Sequence, residues 1–199
     1  MPRYDRARPQ AGTRSSIASA AARLMAEDGI TDFHFAKKKA LRQLGLPEHT
    51  ALPDNAEVEA ELRTYWTLYQ DEEHRELLQQ LRQTALDLME LLADFRPYLT
   101  GSVLDGTAGP HSRIDLLLFA DSAKEVEILL LNRGIDCRHE EARNERAEAV
   151  LVMETEEAEV NLVIFPPTLE RTAFKYRDGR TRERVRMEAV AALLEEAAQ

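Results

Sequence analysis

The sequence predicts an α+β fold, a helical N-terminal half followed by a small β-sheet, and three observations predict it. Apolar residues recur at helical spacing in stretch after stretch as far as about Phe95. Arg96-Pro97 then marks a change of chemistry, because the residue before a proline is pushed out of the helical region. Beyond it lie three short apolar runs bounded by turn residues, Ile114 to Phe119, Ala149 to Met153 and Val160 to Phe165, which read as strands.

Length and composition bound what such a chain can be. Its 199 residues, 44% of them hydrophobic, suffice for one sizeable domain or two small ones. No run approaches the roughly 18 apolar residues that span a bilayer, and Met1 to Gln10 holds no apolar stretch suited to a signal peptide, so a cytoplasmic protein without membrane contact is expected. The single Cys137 has no partner for an intramolecular disulfide or a zinc knuckle and reads as a half-buried strand residue. A formal charge of −10 argues against broad attraction to nucleic acid. The charge is polarised, since residues 1–45 carry nine Lys or Arg against four acids and the remainder carries −15. Such a basic end suits an anionic partner or the acidic half of a second copy.

Taken in order, residues 1–14 contain two prolines and four arginines without periodicity and read as a flexible basic arm. Ser15 or Ser16 offers an N-cap for a helix carrying Ile17, Ala20, Ala21, Leu24 and Met25, ended by Gly29. Thr31 or Asp32 caps a second, with Phe33, Ala36, Ala40, Leu41 and Leu44 on one face and Gly45 and Pro47 as its stop. Lys37, Lys38 and Lys39 read as its solvated face. From Asp54 or Asn55 a long helical region repeats Val58, Leu62, Tyr65 and Tyr69, breaks near Asp71-Glu72-Glu73, and repeats Leu77, Leu81, Ala85, Leu88 and Leu92. The whole of 15–95 is thus a helical region, and its broad apolar stripe predicts helix pairing within the chain or across a homodimer. Tyr65, Trp66 and Tyr69 read as core, and His74, set among Glu72, Glu73, Arg75 and Glu76, as part of a solvated charged face. After Ile114–Phe119, Ser122 caps a helix through Val126, Leu129, Leu130 and Leu131, Ile135 to Arg138 forms a short strand, and residues 149–153 and 160–165 form a hairpin. Pro166-Pro167 ends the sheet, and Arg182 to Ala198 closes the chain as a helix with Val185, Val190, Leu193 and Leu194 facing inward.

Two resemblances add functional expectations. The two short N-terminal helices are similar to the opening of TetR-type repressors, which implies a helix-turn-helix DNA-binding regulator as one alternative, with Lys37 to Lys39 on phosphates. Leu99-Thr100-Gly101-Ser102, followed by Arg113-Ile114-Asp115-Leu116-Leu117 on a strand, resembles the nucleotidyltransferase superfamily of polymerase-beta-like fold. That resemblance implies a small mixed sheet of nucleotidyltransferase type over 96–199, with a nucleotidyl group moving from a nucleoside triphosphate to a hydroxyl under magnesium. It places Gly101 and Ser102 on nucleotide phosphates and Asp115 on metal. Leu117 stands where the second carboxylate belongs, and Asn161 where the third does, so Asp115 and Asn161 are the candidate metal ligands. Magnesium holds poorly without several hard oxygens. Glu157, Glu159 and Asp121 are the other acids within reach and read as solvent-facing. The glycine-rich loop Asp105 to Ser112 offers backbone N–H groups, Thr107, His111 and Ser112, with Arg113 directly after it, to a nucleotide phosphate without metal, or its glycines simply make turns. The expectation is a degenerate nucleotidyltransferase-like protein, without efficient metal-dependent transfer, that keeps a nucleotide or nucleic-acid binding surface; an active divergent transferase is the second alternative.

Overall fold

Two units divide the chain between residues 69 and 70 in the computed structural model, which describes residues 10–68, 72–142, 146–175 and 179–197. The first unit is helical. Helix α1 (Gln10–Glu27), α2 (Phe33–Gln43) and α3 (Asn55–Leu68) enclose a core of Ile17, Ala21, Leu24, Leu41, Val58 and Leu62. α1 starts at Gln10, so residues 10–14 of the expected arm are helical, while residues 1–9 lie outside the described residues. The Ser16 hydroxyl does not cap; it donates to Gly12 O at 2.8 Å inside the helix. Asp32 caps α2 by accepting from Phe35 N at 2.6 Å. α3 opens with a reciprocal box, Glu57 N donating to Asp54 Oδ1 at 2.8 Å and Asp54 N to Glu57 Oε2 at 2.7 Å.

Lys37 corrects the expectation of a solvated lysine run. It is buried, and its ammonium donates to Pro53 O at 3.0 Å and to Asn55 Oδ1 at 2.6 Å, tying α2 to the start of α3. The aliphatic stem of lysine can cross an apolar surface when its head finds acceptors at the far side. Lys39 pairs with Asp28 at 2.7 Å. Tyr65 and Trp66 pack edge to face against the core, ring centroids 5.5 Å apart; Tyr69 lies outside the described residues.

The second unit is built on a mixed sheet, and together the two units make the chain α+β. Its elements are α4 (Glu72–Leu91), β1 (Tyr98–Thr100), α5 (Ser102–Asp105), β2 (Ile114–Phe119), α6 (Ala123–Asn132), β3 (Cys137–Glu140), β4 (Ala149–Glu154), β5 (Glu159–Phe165), β6 (Arg184–Val185) and α7 (Met187–Ala197). The strand order among the described residues is β3-β4-β5-β2-β1-β6, with β2 and β5 parallel and every other neighbour antiparallel. α4 belongs with this sheet, so the helical stretch expected over 15–95 is shared between two units. The reason is its stripe: Leu81, Ala85, Leu88, Met89 and Leu92 join Ile114, Leu116, Leu118, Leu162, Ile164 and Val126 in one core.

Side chains alternate along β2, so its other face carries Asp115, Leu117 and Phe119. That second face is covered by residues after β5. Leu169 and Phe174 pack on Tyr98, Leu117, Phe119 and Phe165, and the Phe165 and Phe174 rings lie 4.5 Å apart between centroids. The closing helix begins at Met187 rather than Arg182, because Arg184 and Val185 pair with Thr100 and Leu99 as an edge strand. Lys175 and Thr181 make a further antiparallel bridge. Ser122 caps α6 through Lys124 N at 3.2 Å, as its position suggested. No helix among the described residues is long and apolar enough to cross a membrane.

Candidate functional site

Register brings three polar side chains into one row on the covered face. Thr100 of β1 lies opposite Asp115 of β2, and Asp115 lies opposite Asn161 of β5. The Asn161 amide Nδ2 donates to Asp115 Oδ1 at 2.8 Å, and its Oδ1 accepts from Arg113 Nη1 at 3.3 Å. One orientation of the amide satisfies both neighbours, since the carboxylate can only accept and the guanidinium can only donate. The other carboxylate oxygen, Asp115 Oδ2, faces Arg182 Nη2 at 3.4 Å. Arg182 also donates from Nε to Thr100 Oγ1 at 3.0 Å.

Gly101 follows directly and has φ +78°, a conformation that L side chains rarely adopt. A Cβ built there would come within 2.8 Å of Asp115 Oδ2. The glycine therefore makes room for the aspartate. It also leads into α5, whose first residue is Ser102. α4 holds this short helix from behind: Arg82 donates to Val103 O at 3.2 Å and to Leu104 O at 3.4 Å, taking carbonyls that a short helix leaves open.

His74 is part of the same support, which corrects its reading as a solvated residue. It is buried, and Nε2 lies 3.0 Å from Ala108 O; a carbonyl only accepts, so Nε2 carries the proton. Burial first, and the Arg82 charge with it, hold the imidazole below its ordinary range against the opposing hydrogen bond to Ala108.

The glycine-rich loop spends much of its own polar capacity on itself. Thr107 N and Ala108 N both donate to Ser102 O, at 2.9 and 3.1 Å. Gly109 N donates to Ser112 Oγ at 2.9 Å, and Ser112 N to Gly109 O at 3.0 Å. Arg113 pairs with Glu140 at 3.0 Å and, through Nε, with Glu159 at 2.7 Å. Arg138 bonds the same Glu159, and together with Arg113 it keeps that carboxyl below the usual range. His111, Asp121 and Glu157 are exposed.

Leu117 is 2% exposed and sits in the aromatic cluster, away from water. Magnesium needs several hard oxygens in near-octahedral array. The row supplies one carboxylate, both of whose oxygens face donors, and an amide that turns its NH₂ toward it. These residues do not fit the ion. Among the described residues no group of three or more His, Cys, Asp or Glu is placed to hold a metal.

Arg182 and Thr100 are the members that sequence reading passed over. For Arg182 the signal was present in Arg180, Arg182, Arg184 and Arg186, a period of two that suits a strand better than the helix expected there, while Thr100 stood in the Gly-Ser motif without a role.

No protein-family model matches the chain, and no curated protein matches it. Among solved structures, one of a cytoplasmic RNA terminal U-transferase is similar at 18% identity and a TM-score of 0.30, over 47% of this chain and 29% of that one.

Proposed function

We propose that this chain is a degenerate nucleotidyltransferase-like protein that has kept the Gly-Ser turn and the acidic strand and has lost efficient metal-dependent transfer. The observation that carries this reading is the state of Asp115: one oxygen is taken by Asn161, the other faces Arg182, and the neighbouring Leu117 is sealed among aromatic rings. A two-metal mechanism needs carboxylates that bridge cations and stabilise both the attacking and the leaving oxygen. Here the carboxylate is neutralised by protein. A nucleotide or nucleic-acid phosphate would be met at Gly101, Ser102, Ser112 and Arg113 without metal, Ser112 and Arg113 first giving up their contacts with Gly109, Glu140 and Glu159.

Calorimetric titration with ATP, with and without magnesium, on the wild type and Asp115→Ala tests this. The expected result is binding that magnesium does not strengthen and that Asp115→Ala does not weaken, because the substitution releases Arg182. Binding that requires magnesium and disappears in Asp115→Ala would overturn the reading in favour of an active divergent transferase. No binding under either condition would remove the nucleotide from it.

A further inference from the structure

We infer that Arg182 is the resident cation of the Asp115 site, a side chain of the same molecule standing where a divalent ion would have to bind. The inference rests on the reading of Asp115 as the surviving acid of the strand motif, and it says what has taken the place of the lost metal.

The arginine is held at three levels. Its main-chain N–H donates to Phe174 O at 2.8 Å, which fixes the backbone over the sheet face. Its Nε donates to Thr100 Oγ1 at 3.0 Å. Thr100 is fully buried, and its hydroxyl proton is committed to Glu183 O at 2.6 Å, so that oxygen is left as an acceptor aimed at Arg182. The third hold is on neighbouring residues and not on Arg182 itself. Arg184 lies over the rings of Tyr98, Phe119 and Phe174 at 4.8, 5.2 and 5.2 Å from their centroids. Glu170 accepts from Tyr98 Oη at 3.0 Å and pairs with Arg96 at 2.8 Å and Arg186 at 3.0 Å. These contacts hold the side chain in place without a ligand, which lowers the entropy cost that weakens an exposed ion pair.

A guanidinium differs from a metal in ways that matter at this row. It is a permanent cation, it donates hydrogen bonds and accepts none, and it cannot coordinate a water as a Lewis acid. With Asn161 on the other oxygen, the carboxylate faces a donor on each side. A divalent ion could reach Asp115 only by displacing a cation that the fold itself supplies. Mutual exclusion of Arg182 and metal follows.

Manganese supplies the test, because free Mn²⁺ is read directly by its paramagnetic resonance signal. The proteins are the full-length wild type, Arg182→Ala, Arg182→Lys and Arg182→Ala combined with Asp115→Asn, each checked for folding by circular dichroism. Arg182→Ala is expected to bind one Mn²⁺ at least about tenfold more tightly than the wild type, Arg182→Lys to stay near the wild type, and the double variant to lose the gain. If Arg182→Ala does not fold, Thr100→Val, which deletes the hydroxyl that holds Nε, is expected to show a smaller gain in the same direction. A gain that is absent from Arg182→Ala, or from Thr100→Val in its stead, or one that survives Asp115→Asn, would overturn the inference and leave the proposed function standing. A wild type that already takes up one Mn²⁺ through Asp115 would overturn both.

Discussion

Thr100 and Asp115 face each other across β1 and β2, and one guanidinium, that of Arg182, reaches both. With Asn161 they make a row in which both oxygens of the strand aspartate face protein donors. Much of the behaviour of this unit should follow from that arrangement.

Gly101→Ala should destabilise the protein by about 1–3 kcal/mol, through a backbone at φ +78° and a Cβ crowding Asp115 Oδ2 at 2.8 Å. Combined with Asp115→Ala the crowding disappears and the backbone strain remains. A double-mutant cycle by urea denaturation should therefore give a non-zero coupling between the two positions. Strict additivity would show that the glycine answers to something other than the aspartate.

Leu117→Asp, which would put a second acid two residues along the strand from Asp115, should not create a metal site. It places a carboxylate among Tyr98, Phe119, Phe165 and Phe174, where the Arg184 guanidinium over these rings offsets only part of the desolvation, and the cost is expected to be about 2–3 kcal/mol. Thermal denaturation should show a much lower midpoint or no cooperative transition. A folded variant of wild-type stability would mean that water reaches this face.

His74 should make stability fall on mild acidification. Its folded pKa lies below the unfolded value, so between the two the unfolded chain binds the proton and the folded chain does not. The contribution is full above the unfolded value, about 6.5, and is lost as the pH falls through that window. Urea midpoints measured at about pH 7.5 and pH 5 should differ by less in His74→Gln than in the wild type. An unchanged difference would locate the pH dependence elsewhere.

Glu170→Gln should loosen the segment that carries Arg182. Burial works against ionisation of Glu170, and Arg96, Tyr98 and Arg186 overcome it, so the folded carboxyl lies below its ordinary range. Its stabilisation is present above the unfolded pKa and is lost as pH falls through the folded one. With both arginines largely exposed the expected loss is about 1 kcal/mol near neutrality, and smaller in strong acid. Amide hydrogen exchange at Arg182 N, bonded to Phe174 O, should quicken in this variant. Unchanged exchange there would detach Glu170 from the hold on Arg182.

How much of this was legible beforehand differs from element to element. Ile114 to Phe119, Val160 to Phe165 and the Ser122-capped helix were readable because short apolar runs and a capping serine act over a few residues. The pairing of Asp115 with Asn161 was within reach once the two strands were aligned, since both sit at the second or third place of parallel runs. Lys37 and His74 were misread for one reason. Both are polar residues in charged neighbourhoods, and their burial comes from acceptors at Pro53, Asn55 and Ala108, which local pattern does not reveal.

By itself the sequence determined the α+β class, the positions of most helices and strands, and Asp115 as the one acid in the run Ile114 to Phe119. Tertiary structure decided what became of that acid. Arg182 lies 67 residues beyond Asp115, and their contact depends on β6 pairing with β1 and on Phe174 packing over the sheet. Helical and strand periodicities report on neighbours a few residues apart, whereas a charge is neutralised by whatever the folded chain brings within a few ångströms of it.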